Sequence, residues 1–174
     1  MSLRDLTKEK HDQAEQTKFM QAVIAGTIDK SVWADFLFQK IKFYSTLETV
    51  AIKAGLLTDL DGLRRIELLI EDFNSVKEDK HYQFNEMTLL YCAYLKSIEN
   101  DTDKIMAHVY TWHMGDLFGG QLIKSRVPGS HKSLTFENAG HLASLIRKKL
   151  KDSMAAEVCE AFEWSIKLMD VYEI

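Results

Sequence analysis

Proline is almost missing from this chain, which has one in 174 residues. Without breakers, long segments are free to stay helical. Cysteine is nearly as scarce: Cys92 and Cys159 stand far apart with no CxxC spacing. A disulfide framework is therefore not expected, and two buried free thiols in a reducing cytoplasm are. No apolar run approaches the roughly 20 residues that span a bilayer. The N-terminal Met1-Ser-Leu-Arg-Asp-Leu6 lacks the apolar core of a secretory signal. Net charge is −4, and no basic run exceeds Arg147-Lys148-Lys149, so neither nucleic acid nor a membrane is an expected partner. Glycine is the last shortage: there are eight, yet Gly115, Gly119 and Gly120 crowd into one stretch.

What is present reads as helix from end to end. Apolar residues recur at three and four, and no strand-like alternation or repeat interrupts them. Ser2 is placed to cap a first helix over 3–15, and a second follows over 17–25 before Gly26. Thr27 or Asp29 opens a long helix to Ala54, with Trp33, Phe36, Leu37, Ile41, Tyr44, Leu47 and Ala51 as its core face. Asp59 or Asp61 is expected to open the next, running to Phe73, with Asn74–Phe84 as a loop. Asn85 opens another and Asp101 the glycine-bearing one, which ends before Val127-Pro-Gly129. Two more are predicted over 134–150 and 153–172. The expectation is one all-α domain, a multi-helix bundle over residues 1–174.

The glycine-bearing helix is the anomaly. Each mid-helix glycine costs about 1 kcal/mol against alanine, so three cost roughly 3 kcal/mol. Gly115 and Gly119 are four apart and share a face, leaving a stripe of bare backbone beside Asp116. Either a flat ligand or a neighbouring helix presses there, and glycines of this kind are also where helices bend. The first helix carries a second pattern. Arg4, Lys8, His11 and Glu15 fall within an arc of about 60°, bordering an apolar face of Leu3, Leu6 and Ala14. Arg4 lies about 10 Å along the axis from His11. That spacing suits a metal on His11 inside a macrocycle whose carboxylates reach the cations, with Glu15 orienting the imidazole. A solvated face with one ordinary histidine is the plainer reading of the same stripe.

With both elements in view, the chain resembles the heme oxygenase family. Leu6-Thr-Lys-Glu-Lys-His-Asp-Gln-Ala-Glu15 followed by Phe19-Met20 is similar to that family's proximal-histidine segment. Gly115-Asp-Leu-Phe-Gly-Gly-Gln121 looks like its distal-helix signature, and Ala161-Phe-Glu-Trp-Ser-Ile-Lys-Leu168 is similar to the helix closing its pocket. The resemblance implies that His11 is the iron ligand of a heme b and Glu15 the group orienting it. Arg4, Lys8 and Arg147 match cations facing the propionates. Tyr44 and Tyr110 match tyrosines of the pocket and its distal network, and Gly115 and Gly119 the backbone against the heme face. Asp116 matches the distal aspartate that holds waters, and Phe162 and Ser165 line the heme from the last helix.

The implied reaction opens heme, at once cofactor and substrate, to biliverdin, CO and iron, at the α-meso carbon. It consumes O2 and electrons from an external donor, a ferredoxin or a reductase, with a bilin reductase downstream. Lys148, Lys149 and Lys151 are one landing surface for that donor, or simply a solvated face. The chain departs from the pattern at Phe118, where serine is usual, and at Trp112 and His113, where some members have arginine and tyrosine. Ala143 stands where a propionate-facing lysine can occur. A heme-storage protein that kept the pocket is the competing reading, although mere binding needs no Asp116. The same fold hosts thiamine-degrading enzymes with a nucleophilic cysteine, but neither Cys92 nor Cys159 has a base near it in sequence. The lack of a C-terminal hydrophobic tail sets the chain apart from membrane-anchored relatives and leads us to expect a soluble, cytoplasmic protein. His108 and His113, five apart rather than four, are expected in the core or at the pocket edge. His81 and His131 are expected to be solvated, and His141 could be either.

Overall fold

The first helix, α1 (Leu3–Glu15), starts on a capping box in which Ser2 and Asp5 bond reciprocally. The structure, a computed structural model, describes residues 1–174. It continues through α2 (Lys18–Ala25), α3 (Lys30–Lys53), α4 (Ile66–Val76), α5 (Glu86–Ser97) and α6 (Thr102–Val109). From α6 the chain runs directly into a π-helical segment, Tyr110–Gly119, and then α7 (Gly120–Ile123), α8 (Ala139–Lys149) and α9 (Ala155–Asp170). There is no strand. Asp29, Asn85 and Asp101 each cap their helix through a side-chain oxygen, as the sequence suggests.

α3 is the axis of the bundle, with α4, α5 and α6 packed around it, while α1 lies along α9. Phe43, Tyr44, Leu47 and Ala51 of α3 are wholly buried. Three expected boundaries differ. α4 begins at Ile66 because Leu57, Leu60 and Leu63 bury themselves in turns rather than a helix, and Arg65 holds those turns. Its guanidinium donates to the carbonyls of Gly62, Leu63, Ser133 and Thr135, with Phe136 against its face. α8 starts at Ala139, because Lys132–Leu134 forms a 3-10 turn instead. α4 also continues to Val76, into the stretch expected as loop. That turn is pinned by Asp72, whose buried carboxylate accepts from Ser130 Oγ, Lys132 N, Ser133 N and Ser133 Oγ. Gly129 before it has φ +84°, and a Cβ there would stand 2.2 Å from Val76 Cγ1, so only glycine fits.

His108 is a core histidine. Its Nδ1 lies 2.7 Å from Tyr91 Oη and its Nε2 2.9 Å from Glu157 Oε1, tying α5, α6 and α9. Tyr94 Oη donates to the same carboxylate oxygen at 2.5 Å. Burial pushes the Glu157 carboxyl up, but the His108 and Tyr94 hydrogen bonds outweigh it and leave it below its ordinary 4.5. A depressed carboxyl stabilises the fold above its unfolded pKa, and that stability is lost as pH falls through the folded value. We therefore expect the parent's melting temperature to drop below about pH 4.5 more steeply than that of Glu157→Gln. Parallel acid limbs in thermal unfolding would show that the carboxylate has no such role.

Candidate functional site

The three crowded glycines do different things. A Cβ built on Gly120 would meet Leu134 Cδ2 at 3.0 Å, so this glycine serves internal packing. A Cβ on Gly115 or Gly119 would meet nothing within 4 Å. No helix presses on that stripe, and both residues are exposed. The bare backbone therefore borders open space and is not demanded by the protein's own packing. The stretch is π-helical, with Gly120 N–H donating to the Gly115 carbonyl five residues back. Such segments are rare and often sit at functional sites.

α1 and α9 supply the histidine side of the candidate site. His11 is half exposed, with 51% of its side chain accessible, and its ring stands edge-on to Phe162 at 5.6 Å. Nε2 lies 3.6 Å from Glu15 Oε1, a charge-pair separation too long for a direct hydrogen bond, and Nδ1 lies 3.4 Å from Asp12 Oδ1. Ser165, one turn beyond Phe162, is buried and spends its hydroxyl on the Phe162 carbonyl. Two features of α1 differ from expectation. Leu6 points out at 41% exposure while Thr7 turns inward and bonds the Leu3 carbonyl. Lys8 is committed to Asp12 at 2.5 Å, on the helix exterior.

α8 packs against the π segment and brings a cation to it. Burial pushes the phenol of half-buried Tyr110 up, while the Arg4 and Arg147 charges pull against it. Arg147 also stands 5.4 Å over the Phe118 ring, itself 47% exposed. Of the nearby lysines, Lys149 pairs with Asp59 and Lys151 with Asp103, each at 2.9 Å.

Asp116 turns into the bundle, beside its exposed glycine neighbours. The residue is 7% exposed, and both carboxylate oxygens are hydrogen-bonded. Lys40 Nζ donates to Oδ1 at 2.7 Å and Tyr44 Oη to Oδ2 at 2.5 Å. Burial, then the Asp116 charge, push the Tyr44 phenol well above its ordinary value, so it stays protonated and donates. Tyr44 is wholly buried and stacks on His113 at 4.8 Å. His113 is buried too, 3.6 Å from the buried Glu48, and Trp112 donates to Tyr91 Oη at 2.9 Å. His131 departs from the solvated reading by bonding the Val127 carbonyl at 2.9 Å, and His141 is exposed. Cys92 is buried as expected, but Cys159 is only half buried. A surface groove of about 1170 Å³ between α1 and the end of α9 includes only Lys8 of the candidate residues.

Lys40, the cation that meets Asp116, is not among the residues that the sequence singles out. It was visible as a charge at the four-residue spacing inside the stripe Trp33, Phe36, Leu37, Tyr44. Lysine is almost never buried unless paired, so its position there already called for a carboxylate.

A family model described as Heme oxygenase matches residues 1–167. The rabbit (Oryctolagus cuniculus) protein heme oxygenase 2 is 27% identical over 198 residues, covering 95% of this chain and 63% of its own length. The heme oxygenase of Porphyra purpurea is 28% identical over 140 residues, 74% of this chain and 58% of that one. The chain thus spans less than two thirds of these curated relatives. Among solved structures, heme oxygenase from Leptospira interrogans superposes with a TM-score of 0.82 at 23% identity, covering 99% of this chain and all of that one. Heme oxygenase-1 of Synechocystis, solved in complex with heme, gives 0.83 at 18% identity over 98% of this chain and 90% of that one. At those identities the superpositions speak for the fold.

Proposed function

Since the chain belongs to the heme oxygenase family, we propose that it cleaves heme b to biliverdin, CO and ferrous iron, with heme as both substrate and cofactor. The residues present fit the group. A flat molecule finds open space over Gly115 and Gly119, a half-exposed imidazole on α1, and two arginines beside the opening. His11 would hold the iron, with Glu15 orienting the ring, and Phe162 and Ser165 would line the side formed by α9. Arg4 and Arg147 would receive the propionates; Lys8 joins them only by giving up Asp12. When bound, heme supplies the metal that activates O2 and the α-meso carbon that is oxidised.

The chain's own contribution is placement. Backbone at Gly115 and Gly119 lets the macrocycle sit closer than any side chain would allow, restricting the volume above one ring edge. Asp116, fixed at both oxygens, keeps lone pairs for waters that carry protons to the site, and Tyr110 borders that space. The chain carries no flavin or iron–sulfur motif, so the electrons come from an external donor, a ferredoxin or reductase. Lys148 and its neighbours are a candidate landing surface, and a bilin reductase would take the product. No helix is long and apolar enough to cross a membrane, which fits a soluble cytoplasmic enzyme.

One observation carries this reading: two glycines hold an open stripe that internal packing does not require, directly beside a buried, doubly bonded carboxylate. Adding hemin and ascorbate under air tests it. Loss of the Soret band to a green bilin with CO release is expected; a Soret band that persists indicates a binding protein instead. Gly115→Ala and Gly119→Ala sharpen the test. Neither meets a steric obstacle, so the heme-free variants should be as stable as the parent or gain up to about 1 kcal/mol, about 2–4 °C in melting temperature at this size. Their affinity for hemin should fall. Lower stability with unaltered hemin binding would contradict the role given to the stripe.

A further inference from the structure

A buried polar ladder runs behind the π segment. Lys40, Tyr44 and Glu48 lie at i, i+4 and i+8 on one face of α3 and meet Asp116 and His113 across it. Lys40 is 6% exposed, yet its ammonium has one hydrogen-bond partner in the protein, Asp116 Oδ1. The π segment carries no lysine or arginine of its own. Buried ion pairs are weak stabilisers: the desolvation cost is large, and apolar replacements of similar volume are often neutral or better. A cation buried at this point of the bundle is therefore poorly explained by stability. Resting on the reading of Asp116 above, we propose that Lys40 is the positioning residue of this site, which fixes the Asp116 carboxylate against the glycine helix and offers its remaining N–H donors to the waters beside it.

The geometry gives each partner a separate task. Tyr44 holds Oδ2 from one side and Lys40 holds Oδ1 from the other, so the carboxylate plane cannot rotate. Lys40 also stands 4.9 Å over the Tyr44 ring, so removing its charge loosens both supports together. An ammonium beside a carboxylate places donors and acceptors within one water's reach, the arrangement a proton relay needs.

The heme-free protein, labelled with 15N-lysine, tests the pairing. A slowly exchanging ammonium resonance is expected for Lys40 and should be missing in Lys40→Arg. It should shift in Asp116→Asn and in Tyr44→Phe; an unshifted resonance in Asp116→Asn overturns the pairing. Turnover of hemin under ascorbate and air then tests the function. Lys40→Met is expected to lose about 10²-fold in biliverdin formation, the scale of a catalytic group misplaced by about 1 Å, with hemin affinity unchanged. Lys40→Arg should restore most of the activity. Because the two groups act as a unit, Lys40→Met/Asp116→Asn should be no slower than Asp116→Asn alone. The double variant also removes both charges, so it stays informative if Lys40→Met folds poorly. Parental turnover in Lys40→Met, or additive losses in the double variant, overturns the proposal. A parent that binds no hemin sinks the reading of the site itself, while the ammonium resonance still decides the pairing.

Discussion

His11→Ala should abolish turnover and leave the fold intact. The imidazole is 51% exposed and makes one edge contact with Phe162, so its removal opens no core cavity. Stability should stay within about 0.5 kcal/mol of the parent, as for surface substitutions generally. Hemin binding is another matter. Losing an outer-shell partner of a metal ligand already costs 10–100-fold, so losing the ligand should exceed about 100-fold in affinity. Exogenous imidazole should partly restore the parent spectrum, because the space vacated by the side chain opens towards solvent. A variant that binds and degrades hemin like the parent would remove His11 from the site. Glu15→Gln should do much less, since Glu15 Oε1 stands 3.6 Å from the ring nitrogen.

Asp116→Ala should separate binding from turnover, at a large cost in stability. Truncation leaves the Lys40 ammonium buried without a carboxylate and Tyr44 without an acceptor. Breaking a buried pair in this way costs about 3–5 kcal/mol, a large share of a typical 5–15 kcal/mol. At this chain length the melting temperature should fall by roughly 10 °C. Asp116→Asn keeps an acceptor for Tyr44 and should fall less. Hemin should still bind to both, because Asp116 is not proposed as a ligand and its oxygens are held by Lys40 and Tyr44. Biliverdin yield should collapse while the Soret band forms normally on addition of hemin. Yield equal to the parent's in a folded Asp116→Ala would exclude the relay role. A variant that loses hemin binding altogether would mean that the carboxylate supports the pocket's shape instead.

Much of the architecture could be read from short-range chemistry. Capping residues announce their helices because a side-chain oxygen and an orphan amide sit three residues apart, and Asp29, Asn85 and Asp101 do so here. Apolar spacing gave the α3 core face for the same local reason. The start of α4 was not readable, because Asp59 and Asp61 are sound capping residues that lose to long-range burial of Leu60 and Leu63 and to the Arg65 clamp. The inward turn of Thr7 and outward turn of Leu6 likewise depend on how α1 rolls on α9, and hydrophobicity alone assigns them backwards.

At the site, residue types and spacing were legible while partners were not. The bare stripe of Gly115 and Gly119 could be inferred, though whether it faces a helix or open space could not. The structure assigns Gly120 to packing and the other two to the opening. Asp116 was recognisable from its neighbours, but the expectation that it holds waters did not include the ammonium arriving from α3. That contact joins positions 76 apart in sequence, and no local pattern links them. His113 was expected in the core or at the pocket edge and is buried, but its approach to Glu48 was hidden in the same way, and both lie within the buried seam that Lys40 begins.

The central claim is that one porphyrin lies between α1 and the bare backbone of the π segment. Ferric heme is paramagnetic, so one equivalent of hemin should broaden amide resonances close to the iron in an 15N-labelled sample. Expected is loss of the Gly115 and Gly119 signals and of the His11 amide, with Gly55 and Gly62, in the turns after α3, left sharp. Sharp, unshifted Gly115 and Gly119 resonances alongside bound hemin would place the porphyrin elsewhere and contradict the claim.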